Sequence, residues 1–274
     1  MKKVLPFLFV LLTISLAAQR KPKIKGNRVV TEVSDELPPF NAIILEDDLE
    51  ITLKKSFGPG YDIEADDNLI DILKFTIEDS TLVISSFYEV TASKKFDIAI
   101  NFTELNAITL KEGYIKSEDI ISSETFMADV FGDSRLDVSV NAGVMDLNLE
   151  DVSTGDFNLD VDSLNVTMKK RADASIYSVS GSKKIQLQEN ADLELEGTTD
   201  LLETSVFDDA KLKARKLEAA TIKLMANSAA NVQINAFKAL ELSASGNSRV
   251  QLYGNPKITV LEFLDTTQLV KRED

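Results

Sequence analysis

From Leu49 onward the chain alternates between apolar and polar positions. Leu49, Ile51 and Leu53 point one way, with Glu50, Thr52 and Lys54 between them. A period of two marks a strand with one face buried. Gly58-Pro59-Gly60 reads as a turn and residues 61–65 as a short strand. Asp66 is placed to cap a brief helix over about 68–74, where Leu69, Ile70, Ile72 and Leu73 cluster on one side. Strands follow at 75–77 and 82–85, and Phe96, Ile98, Ile100 and Phe102 alternate cleanly. Residues 19–38, ahead of this pattern, are polar and basic and end in Pro38-Pro39, which predicts a linker.

After about Leu105 the chain repeats itself. The marker is a small residue, any residue, then an apolar one, usually just after Asn, Asp or Gly. It occurs as Ser134-Arg135-Leu136, Gly155-Asp156-Phe157, Ala174-Ser175-Ile176, Ala191-Asp192-Leu193, Ala210-Lys211-Leu212, Ala230-Asn231-Val232 and Ser248-Arg249-Val250. The apolar members are separated by 21, 19, 17, 19, 20 and 18 residues. A second series, Leu147, Val166, Leu187, Val206, Leu224, Leu242 and Val260, steps by 19, 21, 19, 18, 18 and 18. Two interleaved strand series with one period near 19 predict one rung per period. A single rung cannot bury its apolar face, whereas stacked rungs share a continuous core. A sandwich has no reason to repeat one spacing, and the period is too short for a propeller blade. No helix-length amphipathic segment supports a βαβ unit or a leucine-rich horseshoe. The expected fold is an all-β solenoid, a parallel β-helix with rungs of about 19 residues, preceded by irregular N-terminal strands.

Three stretches carry a family resemblance: PFNAIILEDDLEITLKK from Pro39, YDIEADDNLIDILKFTIEDSTLVIS from Tyr61, and SGNSRVQLYGNPKIT from Ser245. In these the chain resembles the auto-transporter adhesin head GIN domain family of exported proteins, over roughly 40–265. The resemblance implies a right-handed parallel β-helix and an adhesin-like role. One departure is Glu46-Asp47-Asp48, where family members commonly carry a Gly-containing turn in the opening strand pair.

The first residues add a location. Lys2 and Lys3 precede an unbroken apolar run over 4–12, and small residues around Ala17 and Ala18 suit a signal peptidase, so cleavage is expected after one of these. The run is shorter than a comfortable membrane span of about 20 residues. The expected organisation is a signal peptide over 1–18, a polar linker over 19–38, the β-helix domain over 39–265 and a tail over 266–274. No second run is long enough for a transmembrane helix. With no cysteine, neither a lipidated N-terminal cysteine nor a disulfide is possible, and a chain this long can bury a core without such staples. The formal charge is −15, with 30 basic and 45 acidic residues. Such a surface repels nucleic acid and anionic lipid.

Composition also narrows the chemistry. Without His or Cys the chain lacks the commonest general base, thiol catalysis and most zinc sites. No phosphate-binding glycine loop is present. An enzyme would have to work with carboxylates, Lys, Arg and Tyr, as β-helix polysaccharide lyases and glycosidases do. The candidate acids are Asp133, Asp137, Asp156, Asp160, Asp173, Asp192, Asp208 and Asp209. They spread over every rung, as solvated turn and outer-face acids would, and no calcium-loop spacing accompanies them. There is no Trp, and the Tyr residues are Tyr61, Tyr88, Tyr114, Tyr177 and Tyr253, of which Tyr88 and Tyr114 lie in less regular segments. The phenylalanines read mostly as core. Asn190, Asn227 and Asn247, with Asp133 and Asp209, recur before the marker strand, where such residues tolerate left-handed backbone and bond their own turn.

These features lead to an exported, non-catalytic surface or envelope module, adhesin-like, that binds a surface polymer, glycan or envelope protein through one face. Neither a cofactor nor a metal is expected. The other reading is a carbohydrate-active enzyme on the same fold, and it would be marked by a concave cluster of two acids with a Lys or Arg.

Overall fold

The computed structural model describes residues 21–273, so the expected signal peptide lies outside the described residues. Strand accounts for 69% and helix for 2%, and the chain winds into a β-solenoid of about nine turns at a spacing of about 19 residues. An N-terminal block comes first: β1 (Lys23–Lys25), β2 (Val30–Glu36), β3 (Ala42–Leu45), β4 (Glu50–Lys55), β5 (Gly60–Asp66), α1 (Asp67–Ile70), β6 (Leu73–Glu78), β7 (Thr81–Ser86), β8 (Glu89–Ala92) and β9 (Phe96–Phe102). Short strands β10 (Ala107–Leu110) and β11 (Tyr114–Ser117) lead into β12 (Ile121–Val130). The long strands β13 (Arg135–Leu149), β14 (Thr154–Met168), β15 (Asp173–Leu187), β16 (Asp192–Val206), β17 (Lys211–Ala226) and β18 (Asn231–Ala244) each form most of a rung. The array closes with β19 (Arg249–Tyr253), β20 (Lys257–Phe263) and β21 (Gln268–Lys271).

From β10 onward the pairing along the array is parallel. Each residue therefore stacks on its counterpart one rung away. Leu136, Gly155, Ala174, Leu193, Leu212, Val232 and Val250 form one inward column. Alternation along each rung sends these side chains into a core that runs unbroken from Phe40 to Leu252. The steps in that column are 19, 19, 19, 19, 20 and 18. This corrects the phase expected for two rungs. Phe157 lines up with Val138, and Ile176 with Leu195, one pleat further along. The second series slips likewise: Ile185 and Thr204 continue the column of Leu147 and Val166, while Leu187 and Val206 lie one pleat beyond. All four displaced residues are still buried, because a shift of two residues keeps a side chain on the same face.

A tight corner joins the rungs. Asp151, Lys170, Glu189, Asp208, Ser228 and Asp265 all have positive φ there, joined by Gly132 and Gly246. The predicted left-handed positions are thus displaced by one residue: Asp133, Asn190, Asp209 and Asn247 follow the left-handed residue, and Asn227 precedes it. Three left-handed aspartates bond the preceding rung, and among the predicted corner residues Asn247 accepts from the Thr266 hydroxyl one rung on. Asp151 accepts from the Gly132 N–H at 3.2 Å, Asp208 from Glu189 at 3.2 Å and Asp265 from Gly246 at 2.9 Å. Asn227 bonds its own turn, accepting from the Ser228 N–H at 2.5 Å.

Several local expectations are corrected as well. Residues 21–38 do not form a linker: β1 pairs parallel with β8 and β2 pairs antiparallel with β5. Most of β2 is solvent-exposed, so its composition looks like a linker although all seven of its residues are in register with β5. The expected tail contains β21, which stacks on β19. Helix α1 spans only Asp67–Ile70, and the Asp66 side chain makes no capping bond. Instead, the buried Asp66 carboxylate accepts the N–H groups of Arg28 at 3.2 Å and Lys94 at 3.0 Å, tying the first strands together. Asp47, in the departing turn, accepts from Lys21 and from the Ser86 N–H. The phenylalanines do not all go inward: Phe57, Phe87, Phe131, Phe237 and Phe263 are exposed.

Candidate binding face

The first halves of β13 to β16, with β11, form one wall. Outward side chains on parallel strands stand in columns. One column runs Lys116, Asp137, Asp156, Ser175, Glu194 and Lys213, and its neighbour runs Ser139, Asn158, Tyr177 and Glu196. Between them lies an open groove of about 490 Å³ whose walls reach the inner residues Phe157 and Ile176. Tyr177 stands in it with about half its surface exposed, at 52%.

The groove's charges are already paired. Arg135 donates from Nε to Asp137 at 2.9 Å and from an Nη to Asp156 at 2.5 Å. The Tyr114 hydroxyl donates to Asp137 at 2.7 Å, and the Arg135 guanidinium lies 5.7 Å from the Tyr114 ring centre. Burial, followed by the bond to Asp137, pushes the Tyr114 phenol up to about 12. At the other end Lys213 pairs with Asp192 at 2.8 Å, and Lys216 reaches Glu196 at 2.5 Å and Glu194 at 3.4 Å. The Lys216 ammonium holds the Glu196 carboxyl below its usual range. What remains unpaired is a phenol ring flanked by an amide and hydroxyls.

The expected acids divide by place. Asp137 and Asp156 meet in the groove with Arg135 between them, so the structure does bring two acids and an arginine to one concave site. Both carboxylates bond the same permanent cation, Arg135. Asp173 and Asp192 are register neighbours in the adjoining outward column, and Asp160 faces Asn141 at 3.4 Å. Asp133, Asp208 and Asp209 lie at the corners. Among the described residues no group of three or more acids gathers in metal-binding geometry. Tyr88 is exposed and Tyr114 is half-buried.

Two groups escaped the sequence reading. Tyr177 was only one of five tyrosines, and its outward phase emerges once the register of β15 is known. The other is Lys183, which stands in an inward column between Leu164 and Leu202 and is 1% exposed. Its ammonium donates to the Ser178 carbonyl at 3.0 Å, the Ser180 hydroxyl at 2.7 Å and the Thr198 carbonyl at 2.9 Å. No carboxylate joins them, and burial pulls its pKa down to about 8. A one-in-two alternation cannot signal it, because a lysine at an inward position reads as a break in the pattern.

A family model described as "Putative auto-transporter adhesin, head GIN domain" matches residues 39–160 and 148–256. No curated protein matches the chain. The crystal structure of a putative adhesin from Parabacteroides merdae ATCC 43184 superposes with a TM-score of 0.67 at 17% identity, covering 92% of this chain and 99% of that one. A putative adhesin from Parabacteroides distasonis ATCC 8503 gives 0.66 at 16% identity, covering 91% and 100%. A protein from the same organism, described as a putative lipid binding protein, gives 0.61 at 17%, covering 91% and 99%. At these identities the likeness is one of fold.

Proposed function

Because the chain belongs to the auto-transporter adhesin head GIN domain family, we propose that it is an exported, non-catalytic binding module whose groove holds a neutral glycan segment. The observation that carries this reading is Tyr177, a half-exposed ring set among Asn158, Ser139 and Ser175 in a groove whose charges are already paired. A phenol offers an apolar face to the C–H side of a sugar, and neighbouring amides and hydroxyls take its polar groups. Paired charges favour uncharged ligands, and an overall charge of −15 disfavours anionic polymers. Export rests on the Lys2–Ala18 segment and on the family. Among the described residues no helix is long and apolar enough to cross a membrane.

A glycan-array screen of the purified chain tests the reading. Binding to neutral glycans should weaken at least tenfold in Tyr177→Ala, about 1.4 kcal/mol, with the melting temperature unchanged. Binding that ignores Tyr177 places the ligand elsewhere on the solenoid. The enzyme reading makes a different forecast: release of reducing or unsaturated sugar ends, abolished by Asp156→Asn.

A further inference from the structure

The two ends of the solenoid are finished differently. At the N-terminal end β2 runs antiparallel to β5, β5 to β9 and β6 to β7, and exposed acids such as Glu32, Asp35 and Glu36 line β2. At the C-terminal end nothing covers the core among the described residues. Phe126, Met145, Leu164, Leu202, Ile222 and Leu240 share one inward column and are all 0% exposed, yet Ile258, next in that column, is 44% exposed. Val260 and Phe263 follow Leu242 and Ala244 in the same way, at 49% and 45%. Leu261 and Leu264 add 66% and 51%. Among the described residues strand β20 pairs with β18 alone, so its other edge presents free N–H and C=O groups. An exposed apolar edge of this kind is a template for another strand.

We propose that a second copy of this chain covers that end, its β20 pairing antiparallel with β20 across a two-fold axis at Thr259. The strand's own pattern supports this occupant. Register with β18 shifts between Val260 and Glu262, which makes Leu261 an extra, bulged residue. With that bulge passed over, pairing about Thr259 sets Ile258 opposite Val260 of the partner subunit, inward against inward. It also sets Lys257 opposite Glu262 of the partner subunit, outward against outward and opposite in charge. A two-fold axis repeats each pair, as an isologous interface requires. Head-to-tail stacking would instead lay the apolar edge of β20 on the acidic strand β2.

Sedimentation velocity and light scattering on the purified chain at roughly 100 µM, above a micromolar Kd, test this directly. The expected species is a dimer. Lys257→Glu and Glu262→Lys each place like charges at both symmetric contacts and should weaken dimerisation at least tenfold, with melting of the monomer unchanged because both side chains are exposed. An equimolar mixture of the two variants should recover the dimer, since each copy then supplies the charge that the other lacks. A monomer at that concentration, a dimer indifferent to both charge changes, open-ended polymers, or capture of neutral phosphatidylcholine vesicles by a monomeric chain would each overturn the proposal.

Discussion

The rungs from β12 to β19 are built mostly of long strands in uniform parallel pairing, whereas the block before them is built of short strands that mix parallel and antiparallel pairs. In the array every residue meets residues about 19 positions before and after it, in parallel. Like stacks on like, so a column records the same physical demand many times. In the block, β2, β5 and β6 run against their neighbours, and each pairing occurs once. The block closes the core at its end, while the array propagates it. The same contrast explains why the columns are informative: a residue that departs from its column is either tolerated at some cost or retained for a reason.

Leu212 is fully buried in the middle of an aliphatic column, between Leu193 and Val232. Rungs on both sides prevent collapse around a void. Leu212→Ala should therefore lower stability by about 2–5 kcal/mol. Leu269 ends the same column and is only partly buried, so Leu269→Ala should cost roughly 1 kcal/mol or less. Chemical denaturation of the two variants measures the difference. Equal losses would mean that position within the stack is irrelevant, and the comparison between propagated and terminal core would fail.

Lys183 departs from its column more sharply, as an ammonium between Leu164 and Leu202. Its three hydrogen bonds go to neutral oxygens, so burial of the charge is offset only in part. In the folded chain it titrates at about 8, against 10.5 for a free lysine. Between those values the unfolded chain holds the proton that the folded chain has released, so stability rises with pH through that window and is lowest below it. The full change is on the order of 3 kcal/mol. Thermal melts from pH 7.5 to 9.5 should climb in the natural chain and stay flat in Lys183→Met, which should also be the more stable of the two at pH 7. A flat profile in the natural chain would place a counter-charge beside Lys183.

These departures also explain how far the sequence could be read. The period was legible because Leu193, Leu212, Val232 and Val250 keep one column apolar. The phase was lost at two rungs because that column carries Gly155 and Ala174, whose small side chains gave way to Phe157 and Ile176 as the visible peaks. Thr204 hid the second series in the same manner, with Val206 the more conspicuous neighbour. Strands β1 and β2 were illegible as strands, since hydropathy records burial and their side chains are mostly exposed. The open end is not visible in the sequence, because Val260 continues the second series as any inward member does. Nothing in an alternation tells the last rung from the one before it. The groove depends on register between rungs, which is why Asp156 is only one of eight candidate acids in the sequence, Tyr177 one of five tyrosines and Arg135 the middle residue of a marker triplet.

The corner column makes a smaller test. Asp208 has a φ of 59° and accepts the Glu189 N–H. Asp208→Ala loses that bond and puts a methyl side chain into left-handed backbone, at a cost of about 1–2 kcal/mol. Asp208→Asn keeps an acceptor and a tolerated conformation, so it should lie within roughly 0.5 kcal/mol of the natural chain. Similar losses in both variants would show that the carboxylate's charge, and not its shape, secures the corner.

The smallest effect is expected beside that corner, in the column Ser134, Ser153, Ala172, Ala191, Ala210, Ala230, Ser248 and Thr267, all of it buried. Four of its members are alanine, which fits the narrow bend without a polar group. At the C-terminal side Ser248 and Thr267 bond each other at 3.1 Å. At the other side the Ser134 and Ser153 hydroxyls are buried with no partner. A buried hydroxyl left unpaired loses its water without replacement, a cost of about 1–3 kcal/mol. Ser153→Ala removes that group and matches the next residue in its column, so the chain should be unchanged or stabilised by up to about 1 kcal/mol. Ser248→Ala removes one partner of a satisfied pair, leaves Thr267 with only its long 3.5 Å bond to the Gly246 carbonyl, and should destabilise by about 1 kcal/mol. The two substitutions are chemically identical and sit in one column, so opposite signs in denaturant midpoints would isolate hydrogen bonding from packing. Equal losses would mean that the Ser153 hydroxyl has a partner, an enclosed water being the simplest.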